Sequence, residues 1–432
     1  MTEARGAGAQ LIQQVRVLDA VAQTDQVADV LVRDGLVVEM ASSLTVIPAS
    51  AEMIDGQGKI LIPGLVDLYS QSGEPGHESR ETLETLLAAG QAGGFTRLGI
   101  LPTTAPVIDN PAMVEKLLAR RGAIAQANFA MPHLYPWGAL TRDAQGQQMT
   151  ELAELAESPI VGFADGRAIQ NPLLVQRLLQ YLQPLGKPVA LWSCDRTLRD
   201  SGVAREGPFS LIYGLVGDPA SSETAALAAL LECVAEVGTP VHLMRISTAR
   251  GVELVRQAKE RGLPVTASTT WMHLLFSAQD LHSYDPNLRL SPPLGNPEDR
   301  AALIAGVKAG VVDAIAIDHT PHTYEDKTVG FPSALPGAIG LELAWAILWD
   351  TFVAQGDWSP LALVQALSPN PARCWGQTPP TIQPQQPAEM VLFDPAATWS
   401  VTPATLHSLS ANTPWLGQDI RGRVVRTWVP FR

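Results

Sequence analysis

Three cysteines, Cys194, Cys233 and Cys374, are all that 432 residues contain, an odd number without metal-type spacing. That excludes a disulfide framework and a cysteine-built zinc site, and the thiols read as buried groups of a reduced compartment. Basic clusters are missing as well. Thirty Lys and Arg face 43 Asp and Glu, for a net charge of −13, so neither nucleic acid nor an anionic membrane surface is expected as a partner. No apolar run reaches the length and purity of a membrane span, and the opening MTEARGAGAQ lacks the design of a signal peptide. The expectation is a cytoplasmic protein. Internal repeats and low-complexity segments are absent too.

What is present is a chain that is 46% apolar, with 35 glycines and 34 prolines, as in a well-packed protein with many turns. Its length suits one large α/β barrel with a smaller accessory domain. The organising stretch runs from Lys59 to Pro111. An apolar run ending at Val66 leads into Asp67-Leu68-Tyr69-Ser70-Gln71; a loop with Gly73, Pro75 and Gly76 precedes a helical pattern over about Ser79 to Ala92. Gly93-Gly94 closes it and a second apolar strand follows, Thr96–Leu101. This is a β-loop-α-β unit whose loop should face a site at the carboxyl ends of the strands.

The same alternation predicts eight strands: Leu61–Leu68, Thr96–Leu101, Phe129–Tyr135, Ile160–Phe163, Pro188–Trp192, Pro240–Ile246, Val265–Thr269 and Ala314–Ile317. Short β-type runs over residues 10–58, Ala388–Pro395 and Val424–Val429 predict a small β-sandwich built from both chain termini. The expected boundaries are 1–60 and 376–432 for the two parts of the sandwich and 61–375 for a (β/α)8 barrel. The Pro/Gln-rich turn Thr378–Pro387 links barrel to sandwich.

Several motifs in this frame resemble the dihydroorotase branch of the cyclic amidohydrolases. They are Pro63-Gly64-Leu65-Val66-Asp67, Glu74-Pro75-Gly76, Glu81-Thr82, Gly93-Gly94-Phe95-Thr96 and Pro102-Thr103-Thr104-Ala105-Pro106. Further on come Glu206-Gly207, Gly214-Leu215, Pro219, Glu223, His242 to Thr248, Asp313 to His322, Glu325, Lys327, Phe331, Ala334, Gly337, Gly340-Leu341-Glu342, and the strand Ala388–Pro395. The resemblance covers nearly the whole chain, Leu11 to Thr427, and implies a zinc-dependent barrel hydrolase of cyclic amides.

The frame matches while the chemical letters do not. Where the family carries a His-x-His metal pair stand Tyr69 and Gln71, where it carries a substrate-gripping Arg stands Gly73, and Thr103 replaces an Asn. Residues i and i+2 of a strand share a side, but a phenol and a neutral amide are poor ligands for zinc. Trp192 and Arg245 occupy two more histidine positions. A guanidinium has no lone pair to give; inside the mouth it repels a metal ion and can stand in for its charge by pairing with a carboxylate. Met272 replaces one of two histidines, leaving His273, and Ser291 and Gly295 replace a substrate Asn and Arg. Asp165 is either the family's fourth-strand ligand or an aspartate in a turn before Gly166, and the lone His242 reads as a core residue. Only the eighth-strand motif, Asp318-His319-Thr320-Pro321-His322, is whole.

The resemblance therefore implies Asp318 as a vestigial catalytic residue, with His322, Arg245 and Gly337 as candidate substrate contacts. No metal and no other cofactor are expected, although the family uses zinc. Three readings stand. One is a noncatalytic dihydroorotase-like protein of pyrimidine biosynthesis. It would be a homo- or hetero-oligomer with a structural or regulatory role, such as a scaffold for aspartate transcarbamoylase, as inactive family members are. The second is an active cyclic amidohydrolase working with Asp318, His273 and Asp165. The third is a small-molecule binding module with a mouth lined by Trp192, Arg245, Trp271 and His322, where Arg245 binds a carboxylate or, in the plainer version, Trp192 and Met272 plug the space.

Overall fold

A computed structural model describes residues 8–127 and 131–430. Its centre is an eight-stranded, all-parallel sheet. The strands, labelled in barrel order, are β1 (Leu65–Ser70), β2 (Phe95–Ile100), β3 (His133–Gly138), β4 (Gly162–Phe163), β5 (Val189–Trp192), β6 (Val241–Met244), β7 (Val265–Thr270) and β8 (Ala314–Ala316). The expected start of the third strand, residues 129–130, lies outside the described residues. Helices connect the strands, among them α1 (Leu83–Ala92), α2 (Pro172–Leu182) and α3 (Ser221–Val237). The inward face carries Val66, Leu68, Trp137, Ala190, Met244, Ala314 and Ala316, while Leu65, Val241, Leu243, Val265 and Ala267 pack outward with the helices. This is the period-2 alternation of a filled barrel.

Backbone pairing runs from β8 round to β1, and side chains together with a backbone hydrogen bond just past the strand ends carry the seam between these two. Asp67, fully buried, accepts from the Ile317 amide at 2.9 Å and from the Ser70 hydroxyl at 2.5 Å. The Ser70 hydroxyl also accepts from the His319 amide at 3.1 Å, and the Gln71 amide donates to the His319 carbonyl at 2.8 Å. Burial, with Asp318 nearby, pushes the Asp67 carboxyl up to about 7.

The expected first strand Leu61–Leu68 is two strands. Ile60–Pro63 pairs with the C-terminal strand Met390–Ser400, the chain breaks step at Gly64, and β1 enters the barrel. A Cβ at Gly64 would lie 2.3 Å from the Thr96 hydroxyl, so only glycine fits this crossing. With Gln10–Asp19, Thr24–Arg33, Leu36–Ala41, Glu52–Asp55 and Asp419–Trp428, these strands make one seven-stranded sheet from both ends of the chain. Its two faces separate cleanly. Leu61, Met390 and Leu392 enter the sheet's own core, whereas Ile60, Ile62, Val391 and Phe393 face the barrel layer. A buried ion pair fixes the junction: Arg97 on β2 donates twice to Glu389, at 2.7 Å each.

One stretch of the C-terminal part leaves that sheet. Between Ser400 and Asp419 the chain reaches the barrel mouth, where Trp415 stacks on Trp271 with ring centroids 5.0 Å apart. Asn412 donates to the Thr320 carbonyl at 3.0 Å and accepts from the His322 amide at 3.1 Å.

Replacing Asp67 by Ala should strip the seam of its acceptor and leave the buried Ile317 N–H without a partner, a loss of about 1–3 kcal/mol. Asp67→Asn keeps an acceptor oxygen and should cost less. Urea midpoints of the two variants at pH 7 check this; equal midpoints would mean that the seam does not depend on that oxygen.

Candidate functional site

The carboxyl ends of the barrel strands surround a cavity of about 220 Å³. Its charged centre is Arg245, just past β6, bound to Asp318, just past β8. The guanidinium donates through Nε to Oδ2 and through Nη2 to Oδ1, both at 2.7 Å, and through Nη1 to the Gly166 carbonyl at 2.9 Å. Two rings hold it from the sides, Trp192 at 5.1 Å and Tyr69 at 5.5 Å from centroid to guanidinium carbon. Arg245 is buried, and only 15% of the Asp318 side chain is exposed. Both residues take left-handed backbone conformations, φ +57° and +51°, a cost that persists only where the surroundings impose the conformation.

Those surroundings are identifiable. The buried carboxylate of Glu223 on α3 accepts from the Ser247 amide at 2.9 Å, the Thr248 amide at 3.1 Å and both their hydroxyls, which anchors the turn behind Arg245. Below the ion pair lies a chain of hydrogen bonds across the barrel interior. The Arg245 amide donates to the Tyr69 hydroxyl at 3.2 Å, Tyr69 contacts the Ser268 hydroxyl at 2.9 Å, and Ser268 contacts His242 Nε2 at 2.8 Å. His242 Nδ1 then meets the Thr266 hydroxyl at 2.9 Å. Because a hydroxyl both donates and accepts, a neutral His242 protonated on either ring nitrogen satisfies every link. Tyr69 points inward although Val66 and Leu68 do as well, because a register shift between Asp67 and Ser70 breaks the alternation of β1.

The remaining expected residues fall as follows. Gln71, Gly337, Trp192, Trp271, Met272 and His273 line the cavity. His273 has both ring nitrogens engaged, Nδ1 with the Thr270 hydroxyl at 2.7 Å and Nε2 with the Pro293 carbonyl at 3.3 Å. His322 is set back behind the rim: its Nε2 meets the Pro336 carbonyl at 3.0 Å, and it does not line the cavity. Asp165 is turned away from the mouth, accepting from the amides of Leu140 and Thr141 at 2.8 and 3.0 Å and from the Thr141 hydroxyl at 2.6 Å. His242 is a satisfied interior residue. His319, part of the whole eighth-strand motif, accepts at Nδ1 from the Gly340 amide at 3.1 Å, which leaves Nε2–H for Glu81 at 3.3 Å. Nothing local in the sequence pairs Glu81 with His319 or brings Trp415 to the mouth, since these contacts span more than a hundred residues.

The donors present do not fit a zinc ion. Both Asp318 oxygens are committed to a cation, both His273 nitrogens are engaged, Asp165 is elsewhere, and the other ring positions offer a phenol, an amide, an indole and a guanidinium. Among the described residues no three His, Cys, Asp or Glu side chains converge. What this mouth offers a ligand is stacking surface, a ring of polar groups and Arg167 at the edge, beside an ion pair that is already neutralised.

A parallel eight-stranded barrel with an appended terminal sheet defines the amidohydrolase class of folds, and solved structures agree. An L-hydantoinase (dihydropyrimidinase) from Arthrobacter aurescens superimposes with a TM-score of 0.84 at 22% identity, covering 97% of this chain and 94% of that one. A dihydropyrimidinase from Brevibacillus agri gives 0.80 at 21%, covering 98% and 94%. Within that class, the sequence signature of the Dihydro-orotase-like family matches residues 58–250. A Synechocystis protein named "Probable dihydroorotase-like protein" is 44% identical over 95% of this chain and 98% of its own length. A dihydroorotase from Pelotomaculum thermopropionicum is 36% identical over 95% of each. The chain belongs to the dihydroorotase-like family.

Two predictions follow from the geometry. Arg245→Ala should leave Asp318 charged and unpaired in a buried site and cost about 3–5 kcal/mol, whereas Arg245→Met with Asp318→Leu should cost far less than either single change. A double-mutant cycle from urea denaturation measures this, and additive costs would show that the pair is not coupled. The second concerns pH. Burial holds His242 down to about 3 and His273 and His322 to about 4, against an ordinary 6.5. Neutral in the fold and protonated when unfolded below 6.5, each contributes stability that is present above 6.5 and lost as pH falls towards 4. Asp67, raised, acts in the opposite direction throughout that range. The test is therefore a difference: His242→Asn should flatten the acid slope of unfolding free energy by up to about 1.4 kcal/mol per pH unit between pH 6 and 4.

Proposed function

We propose that this protein is a noncatalytic member of the dihydroorotase-like family, with a structural or regulatory role in an assembly of pyrimidine biosynthesis, for which aspartate transcarbamoylase is the expected partner. The observation that carries the reading is the Arg245–Asp318 pair. In a hydrolase of this kind an aspartate at the eighth strand needs free oxygens, to hold a metal and to move a proton to and from water. Here both oxygens are occupied by a permanent cation 2.7 Å away. Amide hydrolysis also needs an electrophile beside the carbonyl, and Arg245 commits three of its five N–H donors to Asp318 and Gly166 and lies between two rings.

The relatives named dihydroorotase favour the second reading, an active enzyme making or opening dihydroorotate at an altered site. One sample separates the two. Purified protein should hold well under 0.1 zinc per chain by elemental analysis. It should interconvert carbamoyl aspartate and dihydroorotate no faster than buffer, before and after zinc addition, and co-elute with aspartate transcarbamoylase from the same cell. About one zinc per chain together with turnover would overturn the proposal. Absence of co-elution with an inactive protein would remove the named partner and leave the noncatalytic reading.

A further inference from the structure

A cavity of about 360 Å³ lies between α1 and the C-terminal strands and shares no lining residue with the mouth. Alanines open the space, Ala88 and Ala92 from α1 and Ala346 from the short helix Ala344–Leu348, and the indoles of Trp345 and Trp399 add apolar wall.

The charges on this wall do not balance. Its single carboxylate is Glu342, and that group is fully used. The Glu342 oxygens accept from the amides of His407 and Ser408 and from His407 Nδ1, at 2.9 Å each. The contact sets the proton on Nδ1 and raises the pKa of the ring. It leaves Nε2 without a partner among the described residues, on a side chain that is 51% exposed. Arg423 is the second uncompensated group. Its guanidinium carbon lies 5.5 Å from the centre of the Trp399 ring, and it has neither a hydrogen bond nor an ion pair among the described residues. Arg426, on the same wall, differs, since Glu52 pairs with it at 2.7 Å. The side-chain amide of Gln91, at the end of α1, is also unbonded among the described residues.

The charge of Arg423 opposes protonation of His407, as two cations facing one cavity must. In a chain of net charge −13, a cavity that gathers such groups without a counter-charge attracts an anion, which relieves their repulsion. The donors available are a guanidinium, an imidazolium N–H and an amide N–H. A phosphate group offers three acceptor oxygens, one for each, and forms its strongest hydrogen bonds with charged donors of this kind.

We propose that this cavity binds phosphate, free or as the ester of a small molecule, with Arg423, His407 and Gln91 holding the oxygens and the alanines receiving the body of an ester. The site stands whether or not the mouth turns over dihydroorotate.

Proton NMR of the full-length protein, with His407 assigned through its absence in His407→Gln, follows the histidine rings during a pH titration. Replacing chloride by millimolar phosphate at matched ionic strength should raise the His407 pKa by about half a unit, a roughly threefold preference of the anion for the protonated ring. The exposed rings of His77 and His282 should not move. Arg423→Gln should act in two opposite senses, raising the His407 pKa in chloride because the repulsion is gone and abolishing the response to phosphate. Phenyl phosphate separates the two sources: a larger shift than with inorganic phosphate assigns an ester, and an equal shift assigns the free ion. A His407 pKa that is the same in chloride and phosphate, a shift shared by His77 and His282, or a response retained in Arg423→Gln would overturn the proposal. The first two comparisons are made on the unaltered chain and decide even if Arg423→Gln does not fold.

Discussion

The bidentate contact between Arg245 and Asp318 is the constraint around which the mouth of this barrel is arranged. A guanidinium buried at a strand end is stable only if its charge is matched and its donors are satisfied. Asp318 supplies the charge, the Gly166 carbonyl takes a third donor, and Trp192 and Tyr69 flank the plane. Each of these comes from a different strand end, so the pair ties β1, β4, β5, β6 and β8 together at one point. Both members sit in left-handed backbone conformations. That cost is sustained by Glu223, which fixes the turn after Arg245, and by the seam contacts of Asp67, which fix the approach to Asp318.

A divalent ion and a guanidinium solve the same electrostatic problem in different ways. A carboxylate pointing into a barrel needs positive charge beside it, and a metal delivers that charge while keeping open positions for water and substrate. A guanidinium delivers the charge without coordination positions, since it has only N–H donors and no lone pair or open site for water. The arrangement extends inward. With Arg245 at the rim, its amide donates to Tyr69, and Tyr69, Ser268 and His242 form a neutral hydrogen-bond chain through the barrel interior. Burial keeps His242 uncharged.

Much of this was legible in the sequence. Alternating apolar and helical segments give eight parallel strands, and the short β-type runs at the two ends give the terminal sheet, because burial patterns of period 2 and 3.6 are written locally. A pairing of Arg245 with a carboxylate was legible as one way to match its charge, and Asp318 is the carboxylate that meets it. Three things were not. Leu61–Leu68 reads as one strand because Gly64 interrupts neither hydrophobicity nor direction; only contact with Thr96 shows the crossing. Tyr69 reads as a mere replacement of a histidine, since its partner Ser268 is an ordinary strand serine 199 residues away. The reach of Asn412 and Trp415 to the barrel rim follows from tertiary packing alone.

The whole eighth-strand motif, which alone suggested retained chemistry, has a structural use at each polar position. Asp318 holds Arg245, and the His319 amide and carbonyl close the seam with β1 while its ring joins Glu81 to the Gly340 amide. The Thr320 hydroxyl donates to the Asp318 carbonyl, and the His322 amide donates to Asn412 Oδ1. A motif engaged in this way is needed by the fold whether or not the mouth performs hydrolysis. Its presence therefore does not argue for activity. The weight falls instead on the positions around it, where Tyr69, Trp192 and Arg245 supply stacking, hydrogen bonding and an ion pair.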